Sequence, residues 1–463
     1  MPKSTVAVLS AWSAFALLPA LLAPQPAAAA RPATPAAITS VSASPGPRTG
    51  QITLRWSSTG RNTSGFRLVT ALNTFGRSSS AGPSGGRRSR VTYFSGRQRS
   101  ATLSASKVYS LGAGVASGNA LFFRLYAVNT AGSGMAVRAY PYQRAVLPRP
   151  AAPKAKGTPI RVATFNVRTS YATQDKHSWN QRVNKVARQI VYQHPGVVAL
   201  QELGPGRADG KKGTTKGNPR QTTSLLTALA RNGGGRYRLV RTTPYVAPGV
   251  PSGTQGGRIL YDSNRYSLIN RCPESTGGRS YSNACSLTLP ILSSDSGKDK
   301  RRGAIAHFRD RRTGKRFWVV SVHLDHRHSG NAATERKYDA LRYRQANYAA
   351  GAVAYHNRSK DPVIIGGDFN SWQNNRVGNS PHDRLVRLGY YDTSAATRRV
   401  NFRYTTFNGF KTRIPLSAHG VGVRLDHLYV KRAWGTARYE NVMKVTDSLR
   451  PSDHNMVLVD TVL

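Results

Sequence analysis

From Ile160 onward, short apolar runs that read as β-strands keep ending on a polar side chain, and no other feature constrains the fold as much. Asn166 closes the run beginning at Ile160, Glu202 closes GVVALQE, His323 follows WVVSV, and Asp368 and Asn370 follow VIIGG. Asp426 stands in RLDH, and Asp453 and His454 precede the final run MVLVDTVL. A fully apolar run is a strand covered on both faces, so its polar group belongs at the end, where the chain leaves the core. Between the runs, Val183, Val186, Ala187, Ile190 and Val191 repeat at helical spacing. Tyr338, Leu341, Gln345, Tyr348 and Ala349 do the same within a helix expected over about residues 334 to 356. Strands alternating with helices predict an α/β domain over residues 160–463.

Taken singly, a strand-end acid is ordinarily a cap or half of a salt bridge. Six strand ends carrying Asn, Glu, His and Asp together are what metal-assisted phosphoryl chemistry requires. A hard dication takes carboxylate and amide oxygens, while imidazoles and further carboxylates activate water or hold charge at phosphorus. Gly366 and Gly367, just before Asp368, let the backbone come close to its neighbours.

The chain before this domain is organised differently. Residues 1–30 carry Lys3, an apolar run from Val6 to Ala23 and a small-residue end at Ala28, Ala29 and Ala30, the pattern of a secretory signal cleaved after Ala30. A membrane anchor would need about 20 clean apolar residues, and Ser10, Ser13 and Pro19 interrupt this run. No later segment is long and apolar enough to span a bilayer, so the protein is expected to be secreted and extracellular. Nothing in the sequence specifies an oligomeric state. ITLRWSS (52–58), GFRLVTAL (65–72), SRVTYFS (89–95) and ALFFRLYAVNTAGSG (120–134) are β-type runs separated by Gly, Ser and Asn turns. They predict an all-β immunoglobulin-like sandwich over 34–147. Trp56 in an early strand and RLYAVNTAGSG in a late one resemble a fibronectin type III domain, a module that binds or spaces. Residues 148–159, rich in Pro, Ala and Lys, read as a semi-rigid linker. Cys272 and Cys285 are the only cysteines; in a secreted chain they are expected to form one disulfide, and without nearby His or Cys partners they make a poor zinc site.

Net charge is +48, and none of the 20 acidic residues precedes Asp175. A general preference for arginine would raise the charge without removing every acid from a domain-sized stretch. A polyanionic partner explains it better: nucleic acid, or an anionic cell-surface polymer held by the basic amino-terminal domain.

FNVRT, ALQE, SVHLDH, GGDFN, RLDH and SDH occur in the order and approximate spacing of the endonuclease/exonuclease/phosphatase superfamily, which the chain resembles from about Ile160 to Leu463. That superfamily includes deoxyribonuclease I, abasic-site endonucleases, bacterial sphingomyelinases and inositol polyphosphate 5-phosphatases. The resemblance implies a four-layer α/β/β/α sandwich with the strand-end residues converging on one edge. It also implies hydrolysis of a phosphoester with Mg²⁺ or Mn²⁺, Ca²⁺ being a further dication to consider. Glu202 would be the principal metal ligand, with Asn166 positioning the metal or a phosphate oxygen and Asp453 completing the metal shell or the histidine network. Asp368 and Asn370 would orient and deprotonate the attacking water or bind a second metal, and Asn370 would also touch substrate. His323 would bond the phosphate or protonate the leaving oxygen, and Asp426 would hold His454 in its working tautomer. Arg301 matches a phosphate-binding arginine, with Arg302 the alternative register.

Two departures matter. Arg168 stands where abasic-site endonucleases carry an acid, so FNVRT is closer to deoxyribonuclease I, and Arg168 becomes a candidate substrate contact. Gln255 stands where deoxyribonuclease I pairs a glutamate with the histidine matching His323, so His323 is expected to act mainly as a neutral hydrogen-bond donor. His326, His328 and the Gly/Lys-rich loop 205–220 are weaker candidates for substrate contact. Charge and FNVRT favour an extracellular nuclease acting on DNA, with RNA as a second polymer. A sphingomyelinase-like phosphoesterase on lipid or small molecules, and a catalytically inactive surface-binding protein, are the alternatives. In the nuclease reading the amino-terminal domain binds and the larger domain cleaves.

Overall fold

The computed structural model describes residues 31–75, 89–110, 113–114, 116–131, 134–154, 156–171, 177–211, 216–240, 257–269, 286–296, 300–375, 377–417, 420–433, 435–443 and 450–463. Residues 1–30, where a secretory signal is expected, and Gln255, Cys272 and Cys285 lie outside the described residues.

Toward the amino terminus, β1 (Ile38–Pro45), β2 (Ile52–Ser58) and β5 (Ser100–Leu103) form one sheet. A second sheet runs β4 (Arg90–Ser95), β3 (Gly65–Ala71), β6 (Leu121–Ala131), β7 (Gly134–Ala139), with β8 (Arg144–Val146) also on β6. Every pairing in the two sheets is antiparallel. Alternate residues face inward, so Phe66, Leu68, Phe123 and Leu125 share a core with Val41, Leu54 and Trp56, and the short helix α1 (Ala105–Ser110) adds Val108. Trp56 is buried with its ring 5.5 Å from Phe66 and 5.3 Å from Phe94.

The rest of the chain is built on two seven-stranded sheets. The first runs β11 (Tyr237–Leu239), β12 (Arg258–Asp262), β10 (Val197–Gln201), β9 (Pro159–Asn166), β22 (Met456–Val462), β21 (Gly435–Val442), β19 (Arg398–Val400). The second runs β13 (Tyr266–Leu268), β15 (Arg302–Asp310), β16 (Arg316–His323), β17 (Val363–Asp368), β20 (Asp426–Lys431), β18 (Tyr391–Asp392), with β14 (Ser286–Thr288) on β15. Between the sheets, Val162, Val197, Ile259 and Val457 of the first meet Ala306, Val319, Ile364 and Leu428 of the second. The alternating residues Ala163, Phe165, Val198 and Leu200 face outward onto α2 (Trp179–Gln193) and α3 (Gln221–Arg231). Ile305, Val320, Val322 and Ile365 likewise face α4 (Ala332–His356) and α5 (Ser380–Arg387). The strands are therefore covered on both faces and read as unbroken apolar runs, and helices flank the sheet pair on both sides.

Local chemistry sets the helix ends. The Asn331 side chain accepts the amides of Ala333 and Thr334 at the start of α4, and α2 ends at His194 in the left-handed region, just before Pro195. The buried face of α4 differs from the sequence expectation. Leu341, Gln345 and Ala349 are buried, but Tyr348 is 42% exposed and Tyr338 only half-buried. Glu335, Asp339 and Arg342 take the stripe instead, with Arg342 Nη2 2.7 Å from Glu335 Oε1. Ala346, Ala349 and Ala350 then let the helix lie close to the sheet, where a tyrosine would hold it off. Gly366 is fitted in the same way: a Cβ there would lie 2.7 Å from Leu428 Cδ2 and 3.0 Å from Ala199 Cβ.

Besides the parallel pair β19–β21 in the first sheet, each large sheet contains a parallel pair joined through a helix, β9–α2–β10 and β16–α4–β17. Both pairs carry their polar residues at the carboxyl ends of the strands, the position from which side chains reach ligands in α/β sheets. Residues 148–159 are tied at both ends. Arg149 exchanges backbone hydrogen bonds with Gly50 and Gln51, and Thr158 does so with Leu463. No described helix is long and apolar enough to cross a membrane.

Candidate active site

Strand register places the site. Asn166 is paired with Gln201 at the ends of β9 and β10, so Glu202 follows directly beside it. In the other sheet His323, Asp368 and Asp426 stand in one row across β16, β17 and β20. The two edges meet: Asn166 Nδ2 donates to Glu202 Oε1 at 3.0 Å and, across the sheets, to Asp368 Oδ2 at 3.1 Å. Asn166 Oδ1 accepts the backbone N–H of Arg168 at 3.0 Å, and Glu202 Oε2 that of Thr169 at 3.0 Å. Glu202, Arg168 and Asn370 all have positive φ, the turns by which the chain leaves each strand with its polar group held at the edge.

Asp368 Oδ1 accepts the backbone N–H of Asn370 at 3.0 Å, and Asn370 Nδ2 donates to Leu324 O at 3.1 Å. Asp368 Oδ2 faces two imidazoles, His323 Nε2 at 3.4 Å and His454 Nε2 at 3.6 Å. On its other side, His454 Nδ1 lies 2.9 Å from Asp426 Oδ2. The Thr406 hydroxyl accepts the amides of Leu425 and Asp426 and pins the start of β20.

Electrostatics separate the two histidines. Burial lowers both, but Asp426, Asp368 and Asp453 around His454 hold its pKa well above the usual imidazole range. His323 has burial and then the positive charges of Arg301, His454 and His326 against it, so its pKa falls well below that range. Its Nδ1 is buried without a hydrogen-bond partner among the described residues. Burial, reinforced by Asp426 and opposed by His454, pushes Asp368 up to about 6. Asp453 is also raised, by burial first and then by Glu202.

The remaining candidates are sorted by their contacts. Arg168 is ion-paired with Asp453 at 3.2 Å, and its guanidinium lies 5.0 Å from the Phe410 ring. Arg301 is buried, its Nη2 2.5 Å from His326 Nδ1 and its Nη1 unpartnered among the described residues. Burial lowers the Arg301 pKa, while Asp325, Glu202 and Asp368 oppose that shift, so its charge is within reach of the site; Arg302 belongs to β15. His328 instead bonds Glu335 at 3.0 Å in the polar network under α4. Of loop 205–220, the described part folds back on itself through an Arg207–Arg220 bridge and an Arg207–Asp209 ion pair.

Several supporting residues were not singled out by the sequence. Arg182, on the buried side of α2, donates to Val167 O at 2.7 Å and Pro451 O at 2.9 Å, joining the Asn166 turn to the loop before Asp453. Its spacing one turn before Val186 places it on the apolar stripe, the only hint available. The Ser452 hydroxyl bonds Asn166 O at 2.7 Å, so the serine of SDH ties the last strand to the first.

A metal-binding test follows from the donor set. Asp368, Asp426 and His454 have ligand atoms within 4.8 Å of one another. Asp426 Oδ2 is held by His454 Nδ1, while Asp426 Oδ1 is buried without a hydrogen-bond partner among the described residues; beside them stand the carboxylates of Asp368 and Glu202, joined by one amide and lacking any Lys or Arg hydrogen bond among the described residues. Such an oxygen-rich, anionic set fits a hard dication.

The Endonuclease/Exonuclease/phosphatase family matches residues 163–454. Among solved structures, the chain is similar to an endonuclease/exonuclease/phosphatase family protein from Bacteroides thetaiotaomicron, with 20% identity over 66% of this chain and 98% of that one and a TM-score of 0.48. It is also similar to a mannosyl-6-phosphatase from Bacteroides thetaiotaomicron VPI-5482, with 19% identity over 66% of this chain and 100% of that one and a TM-score of 0.48. The human nocturnin catalytic domain with bound sulfate shows 17% identity over 65% and 94%, with a TM-score of 0.42. No curated protein matches the chain. With a family match running from the first site strand to His454, the chain belongs to the endonuclease/exonuclease/phosphatase family, whose members are typically divalent-metal-dependent hydrolases of phosphoester bonds.

Proposed function

We propose that this protein is a secreted, metal-dependent phosphodiesterase, an extracellular nuclease that hydrolyses DNA, with RNA as a second polymer. The observation that carries it is Asn166 joining Glu202 and Asp368 across the two sheets, beside an imidazole held by Asp426. The choice of a polymer over a small ester rests on a charge of +48 and the lack of any acid before Asp175.

Glu202 would hold the divalent cation, with Asn166 and Asp453 beside it. Bound Mg²⁺ or Mn²⁺ supplies charge neutralisation at the phosphate oxygens. Asp368, with its raised proton affinity, and Asn370 would orient and deprotonate the attacking water. His454, fixed at Nδ1 by Asp426, presents Nε2 as a proton-bearing donor to the phosphate or the leaving oxygen. His323, kept neutral, would donate a single hydrogen bond, and Arg301 would offer its unpartnered Nη1 to a phosphate oxygen. Arg168 would reach substrate from its place beside Asp453.

The amino-terminal sheets would form a fibronectin type III-like domain over 34–147, a reading supported by Trp56 packed between Phe66 and Phe94. Residues 1–30 would be removed on export, and Cys272 and Cys285 would then meet in an oxidising environment.

The test is digestion of supercoiled plasmid by the purified secreted form, with Mg²⁺ and with EDTA, alongside sphingomyelin and bis-p-nitrophenyl phosphate. Metal-dependent nicking is expected. An intact plasmid with turnover of lipid or diester would replace the nuclease reading by a sphingomyelinase-like one.

A further inference from the structure

Residues Ala116 to Ala120, which lead from α1 into β6, meet both arms of the active site. On one arm, Gln373 follows Asp368 by five residues. Its Oε1 accepts the Ala120 amide at 2.9 Å, and its Nε2 donates to Ala120 O at 2.5 Å and Leu72 O at 2.8 Å. Leu72 and Ala120 flank the neighbouring strands β3 and β6, so the side-chain amide of Gln373 extends that ladder as a backbone residue would. On the other arm, Arg424 precedes Asp426 by two residues and donates to Gly118 O at 3.1 Å, and the Asp392 amide donates to Ala116 O at 2.9 Å.

The arms are also tied to each other. His427 Nδ1 lies 3.1 Å from Asp392 Oδ2, and its Nε2 faces Arg424 O at 2.9 Å and Ser371 O at 3.3 Å. The fit is close: Gly118 has φ +58°, and a Cβ there would come within 2.3 Å of Ser394 Oγ and 3.0 Å of Asp392 Cβ. Beside these bonds, Ala71, Phe75, Ala120 and Phe122 share one buried core with Ala396, Phe402 and Val421.

We propose that the amino-terminal sheets are an integral brace of the catalytic unit, and that Gln373 is the positioning residue that transmits their placement to Asn370 and Asp368. This rests on the reading of Asp368 and Asn370 as groups that act on the attacking water. It goes beyond a division of labour in which the first domain only binds and the second cleaves. Gln373 is buried, so removing its amide strands the buried N–H and C=O of Ala120 and frees the part-buried carbonyl of Leu72, and the loop must move to recover them. A displacement of about 1 Å at a reacting group costs up to about a hundredfold in rate.

The experiment uses the full chain, with Gln373→Ala and Gln373→Glu on one side of the contact and Gly118→Ala on the other, which leaves every site residue in place. Calorimetry of the unmodified protein is expected to show one cooperative transition. With Mg²⁺ and bis-p-nitrophenyl phosphate, both Gln373→Ala and Gly118→Ala should lower kcat about tenfold or more at nearly unchanged KM. Gln373→Glu should fall further, because its carboxylate faces two carbonyls. Two separate transitions in the unmodified chain, or wild-type kcat in folded Gln373→Ala and Gly118→Ala, would overturn the brace. If the unmodified chain turns over no phosphodiester, the functional reading fails and calorimetry alone decides: one transition upholds the brace, two refute it.

Discussion

His454 and Asp426 share a hydrogen bond of 2.9 Å between Nδ1 and Oδ2, and both side chains are buried. The bond fixes the imidazole so that only Nε2 faces the site, 3.6 Å from Asp368 Oδ2. Asp426 heads the charges that keep the ring protonated against its burial. One carboxylate therefore sets both the orientation and the charge of the histidine.

Asp426→Asn keeps the shape and removes that charge. It is expected to lower kcat by about a hundredfold or more, the usual scale of general acid–base catalysis. The His454 pKa should fall with it. Titration of the imidazole followed by NMR alongside steady-state kinetics checks both, and an unmoved titration with wild-type kcat would take Asp426 out of the site.

Asp368 carries a pH signature in the metal-free protein. Its pKa is raised, to about 6, above an unfolded value near 3.9. The folded state then binds the proton more tightly, so stability falls as pH rises from about 4 to about 6 and stays lower above that window. Asp368→Asn in EDTA should melt higher than the unmodified protein at pH 7.5 and equally at pH 4, while turnover drops by orders of magnitude with the fold intact. A lower melting temperature at pH 7.5 would contradict the burial argument.

The site was legible in the sequence because its residues end strands, and a strand covered on both faces has nowhere else to put Asn166, Glu202, His323 or Asp368. That the two edges meet was not legible from the runs alone. The 3.1 Å bond between Asn166 and Asp368 depends on how the sheets stack, which no local pattern states. Gln373 looks like an ordinary loop residue and Arg424 stands in RLDH with nothing local to name its partner, yet their partners Ala120 and Gly118 lie 253 and 306 residues away. Tyr338 and Tyr348 sit at the right spacing for a buried face, but the Glu335–Arg342 pair and the alanines of α4 satisfy that face at closer range.

Asp392 should show the opposite pH behaviour to Asp368. Burial disfavours its charge, but Arg424, the hydrogen bond and charge of His427, and His382 outweigh that and hold its pKa far below the ordinary carboxylate range. A depressed folded pKa contributes stability that is present above about pH 4 and lost as pH falls toward the folded value. Asp392→Asn is expected to cost about 3 to 5 kcal/mol at pH 7, because Arg424 and His427 lose their buried partner. The deficit should shrink below about pH 4. Urea unfolding at the two pH values measures it, and a pH-independent deficit would mean that packing, not charge, is lost.

Polymer and small-diester hydrolysis should respond differently to salt. If the acid-free stretch before Asp175 neutralises about six backbone phosphates, the binding constant falls by about a thousandfold between 50 and 200 mM salt. Bis-p-nitrophenyl phosphate carries one charge and spans only the catalytic residues, so its KM should change little over the same range. The site itself is buried, and screening weakens its internal pairs far less than exposed ones. Plasmid nicking at subsaturating DNA should therefore collapse with salt while diester turnover persists. Parallel loss of both would place the salt-sensitive charges in the catalytic centre, and parallel persistence would leave the positive surface without a role in capturing substrate.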